Sequence, residues 1–193
     1  CDRVRIMAYD QQSIDQRLND LAPGPYIPVA DPKWVEKVIT LAAKTISKKK
    51  IVIGIPSYLY EYEVKPLLFG YRYDLLWAFN PKYATDLAAT TGIAPQRNMA
   101  GEMSFSYNAA NVASVLAGER DTPQSNNTEI ATTSSSSGYG APVSNSSLFR
   151  IVWWSDAHAI KDKVDLAKKL GVRGVAIFKI DGGEDPNMWN ILK

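Results

Sequence analysis

Residues 50–56 read KIVIGIP, and this apolar run decides the fold class of the chain. A continuous run with β-branched residues is typical of a strand that is covered on both faces in a parallel sheet. A second run, VRIMAY at residues 4–9, predicts another buried strand. Between the two, Asp31 and Pro32 supply an N-cap and a first-turn proline for a helix predicted over residues 33–47. Strand, helix and strand form a βαβ unit, which indicates the α/β class.

The end of the sequence repeats this pattern. Apolar residues at helical spacing predict a helix over residues 156–170, and Gly171 ends it. Residues 172–180 (VRGVAIFKI) predict another buried strand, and residues 184–192 predict a short closing helix. The basic run at residues 48–50 is interpreted as the solvated end of the earlier helix, where cations meet the negative pole of its dipole.

Residues 57–150 interrupt the alternation of strands and helices and predict an α+β insertion subdomain. Within it, Asn80 and Pro81 begin a helix that extends to about Thr90. The alternating residues 103–107 (MSFSY) predict an exposed strand, and residues 149–154 predict another.

The sequence therefore divides into residues 1–56, the insertion at 57–150, and residues 151–193 with the last helix, strand and closing helix. Residues 120–147 contain almost no large aliphatic side chains, so we expect a flexible Ser/Thr-rich loop there.

Composition excludes several functions. The 193 residues carry 22 basic and 20 acidic side chains, and this balance does not favour nucleic-acid binding. The single cysteine, Cys1, excludes an internal disulfide and a thiolate zinc site, and we expect neither a metal nor a cofactor. The longest apolar stretches are far shorter than the roughly 20 residues that cross a bilayer, so we expect no transmembrane segment.

Three stretches, in this order and spacing, resemble glycoside hydrolase family 18, particularly its bacterial spore-cortex and cell-wall N-acetylglucosaminidases. IMAYD at residues 6–10 is similar to the Met-x-Tyr-Asp motif on the sixth barrel strand of the family. KIVIGIPSY at residues 50–58 is similar to the seventh strand, and residues 152–189 are similar to the helix and eighth strand that close the barrel. The resemblance implies the C-terminal portion, strands six to eight, of a TIM (β/α)8 barrel.

The family hydrolyses β-linked N-acetylglucosamine polymers, chitin or peptidoglycan, with the acetamido group of the substrate as nucleophile. The resemblance implies that Tyr9 donates to that acetamido carbonyl, that Asp10 binds the sugar, and that Met7 lines the floor of the site. It also implies substrate contacts for Tyr58 and for Phe178, which stands where the family usually has Trp. The structural alternative is that Tyr9 and Asp10 merely end a buried strand.

The catalytic acid of the family lies in an Asp-x-x-Asp-x-Asp-x-Glu run, and no such run occurs in these residues. We therefore expect an N-terminal fragment to complete the barrel and to supply the acid. Glu61 and Glu63 follow the seventh strand, and replacement of the acid by either one is a second hypothesis. A different class of function also stays open, namely an inactive glycan-binding module or scaffold of the same fold. The family favours an extracellular or cell-envelope location.

The aromatic residues allow two interpretations each. The tyrosines of the insertion are either stacking platforms for a glycan or packing within the subdomain; they are Tyr58, Tyr60, Tyr62, Tyr71 and Tyr73. Trp153 and Trp154 lie on opposite faces of a predicted strand, so we expect one to be in the core and the other to meet solvent or sugar.

Overall fold

The computed structural model describes residues 1–15, 24–109 and 148–191. The loop predicted at 120–147 lies outside these ranges. The strands are β1 (Val4–Met7), β2 (Ile51–Pro56), β3 (Leu59–Pro66), β4 (Tyr71–Phe79), β5 (Gln96–Arg97), β6 (Met103–Tyr107), β7 (Phe149–Trp154) and β8 (Gly174–Phe178). The helices are α1 (Gln11–Ile14), α2 (Pro32–Ala42), α3 (Pro81–Thr91), α4 (Ala157–Leu170) and α5 (Met188–Ile191), with a 3-10 turn at Lys48–Lys50. The chain is thus a mixed α/β protein.

The first sheet is parallel and has the order β1-β2-β8 in the described ranges. Strand β2 is buried along its whole length, as its apolar run predicts. Ile53 pairs with Ile6 on one side and with Val175 on the other, so these three side chains share one face of the sheet. That face packs on helices α2 and α4, which contribute Ile39 and Ile160 to the same core.

The two outer strands are shorter and less buried than predicted. β1 ends at Met7 rather than at residue 9, and its side chains alternate between partly buried and exposed. β8 ends at Phe178 rather than at residue 180, and its side chains are partly buried or exposed. The reason is their position, because β2 is the only pairing partner of either strand in the described part of the chain.

The helix caps lie where the sequence predicts them, but helix α2 ends earlier than predicted. The Asp31 side chain accepts a hydrogen bond from the Lys33 amide at 2.7 Å, and Gly171 ends α4 with a φ of 66°. Helix α2 ends at Ala42 rather than at residue 47, because the following chain folds into turns in which the Thr45 hydroxyl and amide both bond the Ala42 carbonyl. The lysine run is therefore a separate exposed turn and not the end of α2.

The second sheet is antiparallel and has the order β4-β3-β7-β6-β5. One of its faces carries Leu59, Phe105 and Trp154, which pack against helix α3 in a core of their own. The opposite face carries Tyr62 and Trp153, which join the main core. Each face of this sheet therefore has an apolar cover.

Two predictions for this sheet are wrong. Strand β6 is not exposed, because it lies between β7 and β5 and buries Phe105 and Tyr107. Neither Trp153 nor Trp154 meets solvent, because the two faces that they occupy are both covered, and the residues are only 2% and 3% exposed. Strand β7 belongs wholly to this sheet, which therefore extends to Trp154, past residue 150.

Candidate functional site

The candidate site lies where the three parallel strands end. Tyr9 and Asp10 follow β1, Ser57 and Tyr58 follow β2, and Lys179 follows β8. Because the strands are parallel and neighbouring, these residues meet at one edge of the sheet. The carboxyl ends of parallel strands are the usual location of active sites in α/β barrels and open α/β sheets.

Asp10 is the centre of a hydrogen-bonded group. Its backbone is left-handed, with φ 61° and ψ 34°, a conformation that Asp tolerates better than most residues. Its Oδ1 accepts a short hydrogen bond from the Tyr58 hydroxyl and another from the Tyr60 hydroxyl at 2.8 Å. Burial, followed by the hydrogen bond to Asp10, raises the pKa of both phenols, that of Tyr60 to about 12. Both hydroxyls are therefore protonated donors at neutral pH.

Tyr9 is packed between two strands. Its ring is 8% exposed and is stacked on Phe178, with the ring centroids 5.5 Å apart and the planes 9° from parallel. A Cβ atom at Gly54 would lie only 2.9 Å from the Tyr9 ring, so the glycine in the β2 motif makes room for this side chain. Burial, followed by the nearby charge of Asp10, raises the pKa of the Tyr9 hydroxyl.

The end of β8 is fixed against the start of the insertion. The Ser57 amide donates to the Phe178 carbonyl at 2.8 Å, and the Ser57 hydroxyl donates to the Lys179 carbonyl across a cis Phe178–Lys179 peptide bond. Phe178 is nevertheless 50% exposed. Lys179 forms an ion pair with Asp181 at 2.8 Å, which lowers the pKa of that carboxyl group.

A pocket of about 220 Å³ opens at this group. Tyr58, Tyr60, Phe178 and Lys179 line it together with Asp10. Its remaining wall comes from β4 and consists of Ala78 and Phe79. Asp10 is the only carboxylate among the described residues that line this pocket, so they hold one hydrogen-bonding acid group, one cation and several aromatic faces.

Met7 is on the same face of the sheet as Phe178 but outside the pocket. It pairs with Gly54 and is 69% exposed, on the face opposite to Ile6 and the helices. Its role in lining the floor of the site stays a prediction.

Glu61 does not reach the site, so the hypothesis that it replaces the acid is wrong. Its side chain is fully buried and accepts hydrogen bonds from the hydroxyls of Tyr83 and Tyr107, and Arg150 lies 3.4 Å away. Alternation along β3 points Glu61 away from Tyr60 and Asp10. Glu63 has the same parity as Glu61 and therefore also points away from Asp10.

The tyrosines of the insertion divide into two groups. All five pack in or against the main core, and two of them, Tyr58 and Tyr60, also line the pocket. Sequence reasoning missed the contact of Tyr60 with Asp10, although the spacing of Tyr58 and Tyr60 on one strand places both on the same side. It also missed Ala78 as a residue of the pocket wall, because the pairing of β3 with β4 was not predicted.

No group of three or more His, Cys, Asp or Glu side chains that could hold a metal ion occurs in residues 1–15, 24–109 and 148–191. None of the helices in the same ranges is long and apolar enough to cross a membrane.

No family model matches the sequence. Among curated proteins, the chain is similar to the Bacillus subtilis protein named "Uncharacterized glycosylase YvbX", with 22% identity over 193 residues, all of this chain and 42% of the relative. Among solved structures, the spore cortex-lytic enzyme SleL of Bacillus cereus matches 99% of this chain and 34% of its own, with a TM-score of 0.65 and 20% identity. The chain has a chitinase-like fold. The chitinase of Chromobacterium violaceum also matches, with a TM-score of 0.58, 22% identity and coverage of 100% of this chain and 44% of its own. The chain spans less than half the length of each of these proteins.

Proposed function

We propose that this chain is the C-terminal portion, strands six to eight, of a family 18 glycoside hydrolase barrel that acts on β-linked N-acetylglucosamine polymers, chitin or peptidoglycan. The observation that carries the proposal is the pocket at the carboxyl ends of β1, β2 and β8, where Tyr58 bonds Asp10. Tyr9 is not among the residues that line the pocket, but its ring contacts Tyr58 edge to face.

The proposed chemistry is substrate-assisted hydrolysis. The acetamido carbonyl oxygen of the sugar attacks the anomeric carbon while the glycosidic bond breaks, and the catalytic acid protonates the leaving oxygen. Water then attacks the anomeric carbon and restores the acetamido group. The Tyr9 hydroxyl donates a hydrogen bond to the acetamido group. The Tyr9 hydroxyl carries its proton at neutral pH, as this role requires. Asp10 binds the sugar, and the exposed ring of Phe178 offers it a stacking face.

The catalytic acid and the other barrel strands come, in this proposal, from residues outside this sequence. Within residues 1–15, 24–109 and 148–191, β1 and β8 each pair on one side only, and Met7 and Phe178 beside them are exposed. Both observations support the proposal, because a closed barrel pairs every strand on both sides. The burial of Glu61 also supports it. Because these polymers lie outside the cell membrane, we further propose an extracellular or cell-envelope location.

The test is to express this chain together with the polypeptide proposed to complete the barrel and to measure release of nitrophenol from a chromogenic N-acetylglucosaminide. We expect turnover by the complex and none by this chain alone, since general acid catalysis contributes about 10² to 10⁴-fold. Tyr9→Phe should lower kcat by about 10² to 10³-fold, as loss of a donor to a charged transition state does. A complex that carries the acid but releases no nitrophenol contradicts the proposal.

A glycan-binding protein without turnover is the second candidate. Phe178 favours it, because this residue has a smaller ring and no indole donor where the family usually has Trp. Binding of N-acetylglucosamine oligosaccharides by the complex, with no hydrolysis in the same assay, supports this alternative.

A further inference from the structure

Two tyrosines at the start of β3, Tyr58 just before the strand and Tyr60 within it, donate hydrogen bonds to the same atom. Tyr58 and Tyr60 lie on either side of Leu59, whose side chain is fully buried in the core against helix α3. Since side chains alternate along a strand, burial of Leu59 on one side directs both tyrosines to the other side. Their rings meet edge to face at 5.4 Å, and both hydroxyls donate to Oδ1 of Asp10.

We propose that Tyr60 is a positioning residue that fixes the Asp10 carboxylate for sugar binding, an inference that rests on the proposed function. Both phenols bond Oδ1, so they fix the plane of the carboxylate and direct Oδ2 away from themselves. Oδ2 is then the oxygen presented to a sugar hydroxyl. A carboxylate that is already oriented loses less conformational freedom when the glycan binds.

The insertion sheet holds Tyr60 in place. In this sheet Tyr60 pairs with Ala78 of β4 and with Trp153 of β7, so its backbone is held on both sides. Ala78 lines the pocket together with Tyr60 and Asp10. The insertion is therefore a part of the site and not only a neighbour of it.

The protonation state of Tyr60 suits this role. Burial, followed by the hydrogen bond to Asp10, raises the pKa of the Tyr60 hydroxyl to about 12. The hydroxyl therefore donates to Asp10 throughout the neutral range.

A double-mutant cycle tests the inference on the complex of this full chain with the polypeptide that completes the barrel. The affinity for the N-acetylglucosamine trisaccharide is measured by calorimetry for the parent chain, Tyr60→Phe, Asp10→Asn and the double variant. Asn keeps the left-handed backbone of Asp10 but removes the charge. We expect Tyr60→Phe to weaken binding by about tenfold, which corresponds to one hydrogen bond to a charged group. In the Asp10→Asn background the same change should have a clearly smaller effect, because the amide oxygen of Asn accepts only a weaker, uncharged hydrogen bond from Tyr60.

Tyr62→Phe is the matched control. Tyr62 lies two residues further along the same face of β3, is buried, and does not line the pocket. Its substitution should leave the affinity unchanged, whereas a purely structural effect of losing a buried phenol would appear in both variants.

The outcomes separate the two proposals. If Asp10→Asn weakens binding but Tyr60→Phe has no effect, or the same effect as Tyr62→Phe, then Tyr60 is not a positioning residue and the proposed site stands. The same conclusion holds if the losses of affinity caused by Tyr60→Phe and Asp10→Asn are independent, so that the double variant shows their product. If the parent and Asp10→Asn bind the trisaccharide equally, or neither binds it, the site itself is wrong and the inference falls with it.

Discussion

The two sheets of this chain differ in how completely they are covered. The insertion sheet has an apolar core on each face, one with Trp154 and one with Trp153. In the described ranges the parallel sheet packs its Ile6 and Ile53 face on helices, whereas Met7 and Phe178 on the opposite face are 69% and 50% exposed. In the part of the chain that the structure describes, β3 and β7 of the insertion sheet are therefore covered on both faces, whereas the Met7 and Phe178 face of the parallel sheet is open. The insertion sheet is open towards β4, where Leu75 and Trp77 are 56% and 55% exposed.

The junction of the two regions should show the largest effect on stability. Glu102, just before β6, is fully buried and accepts hydrogen bonds from the amides of Val29 and Ala30, from Trp153 Nε1 at 2.7 Å and from the Ser155 hydroxyl. Lys163 of α4 is its buried cation, with Nζ 3.4 Å from Oε1. We predict that Glu102→Ala lowers the free energy of unfolding by about 3 to 5 kcal/mol, because it leaves a buried charge unpaired.

The exposed pair Lys169 and Glu36 provides the control, with its atoms 2.9 Å apart. Removal of Glu36 should change the free energy of unfolding by about 0 to 1 kcal/mol. Both variants are compared by urea unfolding. Equal losses for Glu102→Ala and Glu36→Ala would show that the buried pair does not join the two regions.

The next largest loss of stability is expected from a substitution in the parallel sheet. Gly54→Ala places a methyl group 2.9 Å from the Tyr9 ring and 3.0 Å from the Ile6 carbonyl. We predict a loss of about 1 to 3 kcal/mol from overpacking, together with weaker glycan binding because Tyr9 must move. Gly174 on neighbouring β8 has no atom within 4 Å of its Cβ position, so Gly174→Ala should be tolerated. Thermal unfolding and trisaccharide affinity check both, and similar values for the two variants would refute the crowding at Gly54.

Sequence patterns predicted the local features of this molecule but not the contacts between distant segments. Uniform hydrophobicity identified β2, and cap residues identified the starts of α2 and α3 and the end of α4, because both signals are local. The exposure of β1 and β8 was not predicted, since it depends on which strands lie beside them. The Tyr60 to Asp10 contact was missed for a related reason, because two segments 50 residues apart in the chain meet only through sheet pairing.

The tyrosines of the insertion should make the free energy of unfolding depend on pH in the alkaline range. Burial is the main cause of the raised pKa of Tyr60 and Tyr107, each to about 12, and their carboxylate partners Asp10 and Glu61 contribute. In the unfolded chain these phenols ionise near pH 10. The unfolded state therefore loses protons first, and the free energy of unfolding falls as pH rises from about 10 to 12, by about 1.4 kcal/mol per pH unit for each such tyrosine.

Urea unfolding at pH 9 and pH 11 measures this dependence. Tyr107→Phe removes one titrating group of the insertion sheet, so its stability should fall less steeply than that of the parent between the two values. An unchanged slope would mean that the Tyr107 phenol ionises equally in both states.

The smallest effect distinguishes two reasons for the exposure of the β8 end. If the free face of Phe178 meets the glycan, Phe178→Trp should strengthen trisaccharide binding by about two- to threefold, because the larger indole adds stacking area and an N–H donor. Phe178 is 50% exposed and already rests on Tyr9, so the larger ring has room on its outer face. If that face instead packs against a neighbouring barrel strand, the affinity should not rise, and Phe178→Trp should impair assembly with the completing polypeptide. Calorimetry with the trisaccharide and co-purification of the two polypeptides, measured on the same variant, therefore decide whether the open end of the parallel sheet is a binding surface or a packing surface.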